Sequence, residues 1–385
     1  KKNNIYEFFK YIYDGLLSVL CTIFLTSCTQ IFIKWIPPSL FEKNSLFKFL
    51  FFLGIFCSLT QIIFSLIIRK SGKNYTIENW TFIGNYEKSK ELINLFKKEN
   101  INLNIIYVND LDNKIKFKEN LSGVIIENIK TINKNLIKDL SILRSQNIEI
   151  ISILDLCEMK LQRYPPNLID GIEFSRPDFL SSKYTFQLRI KRLADIFVSV
   201  FLLLVTFPII IISCVLIKLE DGGPIFYSQK RNGINGKKFL IVKLRTMQIN
   251  AEKDGAKWAL PNDSRITNIG KTLRKTRIDE LPQLISVIKG ELSLIGPRPE
   301  RPEFDEKLIK KISYYQFRTL IKPGLSGWAQ VNYPYGASLK DSENKLSFDL
   351  YYIKHFNIFL DLLIAIKTIR LISNGKGSEP FQTDI

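Results

Sequence analysis

The sequence predicts an α/β membrane protein. It reads as N-terminal transmembrane helices, a small Rossmann-like parallel-sheet domain, a re-entrant membrane helix and a cytoplasmic α+β domain with interfacial amphipathic helices. Three observations carry this: a pair of long apolar runs near the start, a strand and helix alternation over 77–165, and a third apolar run with a proline at its middle. The balance of charge agrees with them. The chain has 385 residues, 46% of them hydrophobic, yet its formal net charge is +18. That pairing suits an anionic membrane surface and favours lipid over nucleic acid, the rival partner for so basic a chain.

The first two apolar runs lie at about 15–35 (LLSVLCTIFLTSCTQIFIKWI) and 47–68 (FKFLFFLGIFCSLTQIIFSLII). Each is long enough to cross a bilayer core of about 30 Å as a helix. IPPSLFEKNS joins them and RKSGK follows, so the positive-inside rule makes a hairpin of residues 1–72 with its RKSGK side cytoplasmic. The opening KKNNIYEFF has neither a starting Met nor a signal-peptide layout, which reads as a trimmed N-terminus with further spans ahead. Cys21, Cys28, Cys57 and Cys214 lie in apolar runs and Cys157 stands alone, so all five cysteines read as reduced.

Over 77–165 the segments TFIGN, LNIIYV, GVIIEN and IEIISIL read as short strands separated by polar helices. The turn after the first strand, FIGNYEKSKE, has only Gly84, which argues against a dinucleotide site and for a structural or regulatory role. Whether this domain makes homodimer contacts or binds a regulator is left open by the sequence. Proline-rich residues 166–188 read as a linker.

The third run, IFVSVFLLLVTFPIIIISCVLI at 196–217, sits within the segment 189–218. Pro208 is expected to kink or break its helix. Lys183, Arg189, Lys191 and Arg192 precede it, and Lys218, Lys230 and Arg231 follow. Basic flanks at both ends argue that both ends stay on the cytoplasmic side, so the segment dips into one leaflet and returns.

Residues 219–385 hold the chemistry-bearing groups. A strand pair is expected in GGPIFYSQKRNGINGKKFLIVKLRTM, with Lys243 and Arg245 two apart on one face; they either present two cations to one phosphate or face solvent. RIDELPQLISVIKG reads as an amphipathic helix with Asp279 and Glu280 at its start and Gly290 at its stop. Acids are ordinary at a helix start, but Arg274, Arg277 and the rigid GPRP turn bearing Arg298 surround these. The residues alone leave two readings open: a helix-start salt-bridge network, or acids that bind a metal and attack phosphorus. Trp328 in KPGLSGWAQVN is either a stacking residue or core, and the tail LSFDLYYIKHFNIFLDLLIAIKTIRLIS reads as an interfacial helix. A lone histidine, His355, argues against His-based triads.

KRLADIF with its proline dip, GGPIFYSQKRNGINGKKFLIVKLRTM, DSRITNIGKTLRKTRIDELPQLISVIKGELSLIGPRP, KPGLSGWAQVN and DLYYI together resemble the bacterial sugar transferases, the monotopic phosphoglycosyl transferases of surface polysaccharide assembly. The resemblance covers about 189–372. It implies a bacterial inner-membrane enzyme whose cytoplasmic domain moves a sugar phosphate from a UDP-sugar to undecaprenyl phosphate and releases UMP. Asp279 would be the nucleophile, Glu280 would help bind Mg²⁺ with it, and Lys243, Arg245, Arg274 and Arg298 would hold phosphates. The family's dip commonly carries Ser-Pro; here Phe207 precedes Pro208, so a capping hydroxyl would come from Thr206. Two other classes remain: a basic membrane-tethered scaffold of polysaccharide assembly, and a nucleotide-sugar dehydratase or epimerase, which FIGNYEKSKE supports little.

Overall fold

A parallel sheet opens the described part of the chain. The structure is a computed structural model that describes residues 52, 78–108, 121–127, 133–169, 185–251, 263–334, 336 and 338–373. The N-terminal hairpin expected over 1–72 lies outside these residues, Phe52 apart, as do Cys21, Cys28, Cys57 and linker residues 170–184. Residues Lys1–Glu78 and Asn79–Ile385 divide as two units. The sheets and helices named below and the candidate site belong to the second unit, apart from Glu78, the first residue of the parallel sheet.

The four expected strands are present: β1 (Glu78–Ile83), β2 (Leu103–Val108), β3 (Gly123–Ile126) and β4 (Glu149–Ser152). Their order is β2-β1-β3-β4, with β1 parallel to β3 and β3 parallel to β4. Helices α1 (Tyr86–Lys98) and α2 (Lys134–Ser145) follow β1 and β3. The last strand is shorter than IEIISIL, because Ser152 caps a further helix, α3 (Ile153–Leu161), through a reciprocal capping box with Asp155. The turn after β1 is held by a carboxylate. Its Asn85 N–H donates to the Glu127 carboxylate at 2.5 Å, and Glu127 also pairs with Lys88 at 2.9 Å.

Helix α4 (Thr185–Asp221) runs for 37 residues with Pro208 inside it. The break expected at Pro208 is not a gap: helical structure continues through it. A proline removes one intrahelical bond, which a helix can absorb by bending. Thr206 does not cap the carbonyl so freed; its hydroxyl donates to the Leu202 carbonyl at 2.7 Å. Among the described residues this is the one helix long and apolar enough to cross a membrane. Its middle is bare, with Phe197 74% and Leu204 72% exposed. Its two ends are fastened. Arg192 donates to the carbonyls of Val287 and Ile288 at 2.6 and 2.7 Å, and Asp195 accepts from the Leu294 N–H at 3.0 Å. At the other end Ile217 is buried with Leu244 and Leu273, and Asp221 pairs with Arg245.

The remainder is α+β. Strands β5 (Phe226–Asn232) and β6 (Lys238–Leu244) form the expected antiparallel pair, with Tyr227 opposite Lys243. Helix α5 (Asn268–Thr276) precedes a 3-10 stretch at Ile278–Gln283, and α6 (Leu284–Lys289) follows it. The short parallel strands β7 (Ser293–Ile295) and β8 (Gly324–Ser326) bracket α7 (Pro302–Lys311). Then come α8 (Trp328–Asn332), α9 (Leu339–His355) and α10 (Ile358–Ser373).

Two helices therefore replace the single interfacial helix read from the tail. Helix α9 is core: Leu346 and Leu350 are buried in one cluster with Trp80, Phe82 and Phe96 of the α/β half. Only α10 bares an apolar side, with Phe359 81% exposed. Asp349 and Asp361 make internal ion pairs, to Arg318 and Lys191. The opening of the proline-rich stretch is packed as well, since Tyr164, Leu168 and Ile169 belong to the same core.

Candidate active site

The acids do not begin a regular helix. They lie in the 3-10 stretch Ile278–Gln283, ahead of the six-residue α6, which still ends at Gly290 in the left-handed region (φ 89). Pro282 lacks the N–H an α-helix would use, and Arg277 just upstream takes a left-handed conformation (φ 58) that a non-glycine residue adopts at a cost of order 1 kcal/mol. The adjacent side chains of Asp279 and Glu280 meet different surroundings. A helix dipole is thus not what holds the acids; neighbouring side chains are.

Glu280 is the clamped member. Its Oε1 accepts from Lys243 at 2.8 Å and from Arg298 at 2.6 Å, with Arg277 at 3.6 Å. Burial opposes its ionisation, but Arg298, Lys243 and Arg277 outweigh burial and hold its carboxyl well below the usual range. Burial in turn lowers the Lys243 ammonium, against the pull of Glu280.

Asp279 is the free member. It is 7% exposed, and its buried Oδ1 has no hydrogen-bond partner. Burial first, and the Glu280 charge second, push its carboxyl up to about 6, against Lys243, Arg277 and Arg274. A buried carboxylate oxygen without a partner is costly in a folded protein. It leaves one strong acceptor of the pair unsatisfied within the protein.

The proposed phosphate ligands divide. Lys243, Arg298 and Arg274 gather near the acids, and Arg274 is steadied by a bond from its Nε to the Thr246 hydroxyl at 2.8 Å. Arg245 does not join them. It lies just past the end of β6, buried, and its guanidinium clasps Asp221 and the Pro224 carbonyl at the foot of α4. Lys243 and Arg245 therefore face separate partners, because the strand geometry that would align them stops at Leu244. Arg245→Met is expected to lower the melting temperature of the purified protein and to leave KM for a nucleotide sugar unchanged. A large rise in KM would restore Arg245 to the phosphate site.

The turn carrying Arg298 is built from glycines. A Cβ on Gly324 or Gly327 would run into the backbone of Gly296, and one on Gly296 into the Lys322 carbonyl. These glycines let KPGLSG press against LIGPRP. Trp328 takes the core alternative: it is 2% exposed, donates to the Gln162 carbonyl at 3.0 Å and lies under Lys367. Sequence reasoning missed the Arg318–Asp349 pair behind the turn. DLYYI stands out as a motif, but nothing in one sequence joins positions 31 residues apart.

A metal could be held by Asp279 and Glu280. The orphaned Asp279 Oδ1 fits that use, and Mg²⁺ commonly takes one or two carboxylates with water and substrate phosphate completing its shell. Among the described residues no three His, Cys, Asp or Glu side chains converge, so an ion here would be shared with a phosphate ligand.

The site thus sets an orphaned acid beside a clamped acid, close to Lys243, Arg298, Arg277 and Arg274, in a unit that also carries the apolar helix α4. Residues 186–375 match the family model for bacterial sugar transferases. The chain is 46% identical over 189 residues to a UDP-N-acetylgalactosamine-undecaprenyl-phosphate N-acetylgalactosaminephosphotransferase of Aeromonas hydrophila, covering 49% of this chain and 45% of that protein. It is 40% identical over 192 residues to an uncharacterized sugar transferase of Bacillus subtilis, covering 49% of this chain and 89% of the relative. Against a UDP-glucose:undecaprenyl-phosphate glucose-1-phosphate transferase of Klebsiella pneumoniae it is 33% identical over 238 residues, 61% of this chain and 50% of that one. The chain belongs to the bacterial sugar transferase family. Its match spans about half the length, or less, of the Aeromonas and Klebsiella relatives.

Proposed function

We propose that the protein transfers a sugar-1-phosphate from a UDP-sugar to undecaprenyl phosphate, releasing UMP, through a covalent intermediate on Asp279. The observation that carries this is the asymmetry of the acid pair: Asp279 buried with an unpartnered oxygen, Glu280 fixed by Lys243 and Arg298. The Asp279 carboxylate attacks the sugar-proximal phosphorus, a new P–O bond forms to the carboxylate, and the bond to the UMP oxygen breaks with its electron pair leaving on UMP. A phosphate oxygen of the acceptor lipid then attacks the same phosphorus and returns the carboxylate. Lys243, Arg298 and Arg274 neutralise charge on the transferring group and the leaving phosphate. Mg²⁺, held by Asp279 and Glu280, would supply further neutralisation of phosphate charge when bound. A panel of UDP-sugars assayed for UMP release tests the reading. Turnover should rise with pH through about 6 as Asp279 ionises; no release from any UDP-sugar would sink it.

The site works at a bacterial inner membrane, on its cytoplasmic face, with α4 entering and leaving one leaflet. Support comes from the fastening of both α4 ends to the same folded unit around a bare apolar middle. A straight helix of this length would extend roughly 55 Å. A span of that kind sends its ends to opposite faces of a bilayer. Keeping both on one face places the acids at headgroup depth, where a lipid phosphate resides. Cysteines introduced at Gln187 and Lys237 are expected to react with a membrane-impermeant maleimide from the same side of inverted vesicles. Labelling from opposite sides would contradict the dip.

A further inference from the structure

A chain of contacts leads from the acid pair into the α/β half. Arg298 donates to Glu280, and the Arg298 carbonyl in turn accepts from Arg318 Nη2 at 2.8 Å. The same nitrogen reaches Asp349 Oδ2 at 3.0 Å, and Arg318 Nη1 donates to the Tyr315 hydroxyl. Both charges are internal: the Arg318 side chain is 10% exposed and that of Asp349 2%. A buried ion pair adds little stability that packed apolar side chains of like volume would not. What such side chains could not do is grip a backbone carbonyl in a fixed direction.

Asp349 is itself held from behind. It lies on α9 between Leu346 and Leu350, which share a core with Trp80, Phe82 and Phe96. On the same helix the Ser347 carbonyl accepts from the Tyr164 N–H at 2.8 Å, and Lys354 and His355 each approach Glu158 of α3 at 3.0 Å. Tyr164 also donates to Glu158 and lies beneath Lys354. The α/β half grips one side of α9, and Asp349 projects from that helix towards the Arg298 turn.

We propose that Arg318 is a positioning residue for the acid pair: clamped by Asp349 on α9, it holds the Arg298 carbonyl so that the Arg298 guanidinium stays on Glu280. The α/β half, whose role composition leaves open, then serves as the anvil that fixes α9. The proposal rests on the reading of Asp279 and Glu280 as the reacting pair. It assigns Arg318 no contact with substrate.

The test compares the full chain with Arg318→Met/Asp349→Leu, which removes both buried charges together and keeps the fold. Hydrogen exchange of the Gly296–Arg301 peptide should quicken about tenfold as the turn is released. UMP release should fall by about 100-fold, the order expected when a reacting group is misplaced by an ångström. Adding Arg298→Ala to that variant should cost little more than Arg298→Ala alone, because residues acting through one another are not additive. Arg318→Lys is the second variant, since an ammonium keeps the charge but cannot grip the carbonyl, Asp349 and Tyr315 with one rigid fork. It should show the same faster exchange. Unchanged exchange in both variants overturns the proposal, as do rate losses that multiply. If the wild-type chain releases no UMP, the reading of the acid pair fails, and the exchange result still decides the positioning role.

Discussion

Asp279→Asn is expected to abolish UMP release and, at the same time, to raise thermal stability at neutral pH. The loss of activity should be at least about 10³-fold, since removing an enzyme's nucleophile typically costs that or more. The gain follows from burial. Folding lifts the Asp279 carboxyl to about 6, so the ionised form is less stable in the folded chain than in the unfolded one. A rise of that size from an ordinary value near 3.9 corresponds to roughly 3 kcal/mol. The sign sets the window: the penalty is full above pH 6, shrinks as pH falls and vanishes below the unfolded value, where both states are protonated. Asparagine carries no charge to desolvate. The variant should therefore melt above wild type at pH 7.5 in chelator, by about 1–2 kcal/mol after the cost of its own buried amide, and lose that advantage by about pH 4, where only the amide cost remains. Melting curves at the two pH values check this; a destabilised variant at pH 7.5 would mean that Asp279 is a structural ion-pair member.

Glu280→Ala should move stability the other way. Glu280 neutralises Lys243 and Arg298, with Arg277 close by. Removing one partner of a buried pair leaves the others uncompensated, a loss of about 3 kcal/mol or more. UMP release should also collapse, because Arg298 and Lys243 lose the carboxylate that orients them. Thermal melting with parallel assays distinguishes this from a passive role. Adjacent acids of nearly the same chemistry should thus give opposite stability changes. Two members of an ordinary surface salt-bridge network would instead both destabilise slightly, or not at all.

The contrast shows where the sequence was legible. The strands of the α/β half were readable because short β-branched runs alternate with polar helices, and β1 to β4 fall where those runs lie. The hairpin of β5 and β6 was readable from its glycine-rich turn and flanking apolar residues. What failed depended on contacts distant in sequence. Lys243 and Arg245 share a strand pattern, but one reaches Glu280, 37 residues on, and the other Asp221, 24 residues back. The tail read as one interfacial helix because Arg318, the partner that draws Asp349 inside, lies outside any helical repeat. Pro208 read as a kink or break, yet the helix continues through it, because one lost intrahelical bond does not end a helix held by the rest. For the acid pair, local residues left two readings open. The family motifs named Asp279; the structure added the physical difference between it and Glu280.

The most direct test of the central claim uses wild-type protein, one UDP-sugar that supports turnover, Mg²⁺ and no acceptor lipid. A covalent mechanism predicts a burst of UMP approaching one equivalent per active site, with a phosphosugar mass on the peptide containing Asp279. The adduct should be absent from Asp279→Asn and should disappear when undecaprenyl phosphate is added. UMP release that requires the lipid from the first turnover, with no mass on that peptide, would contradict the account.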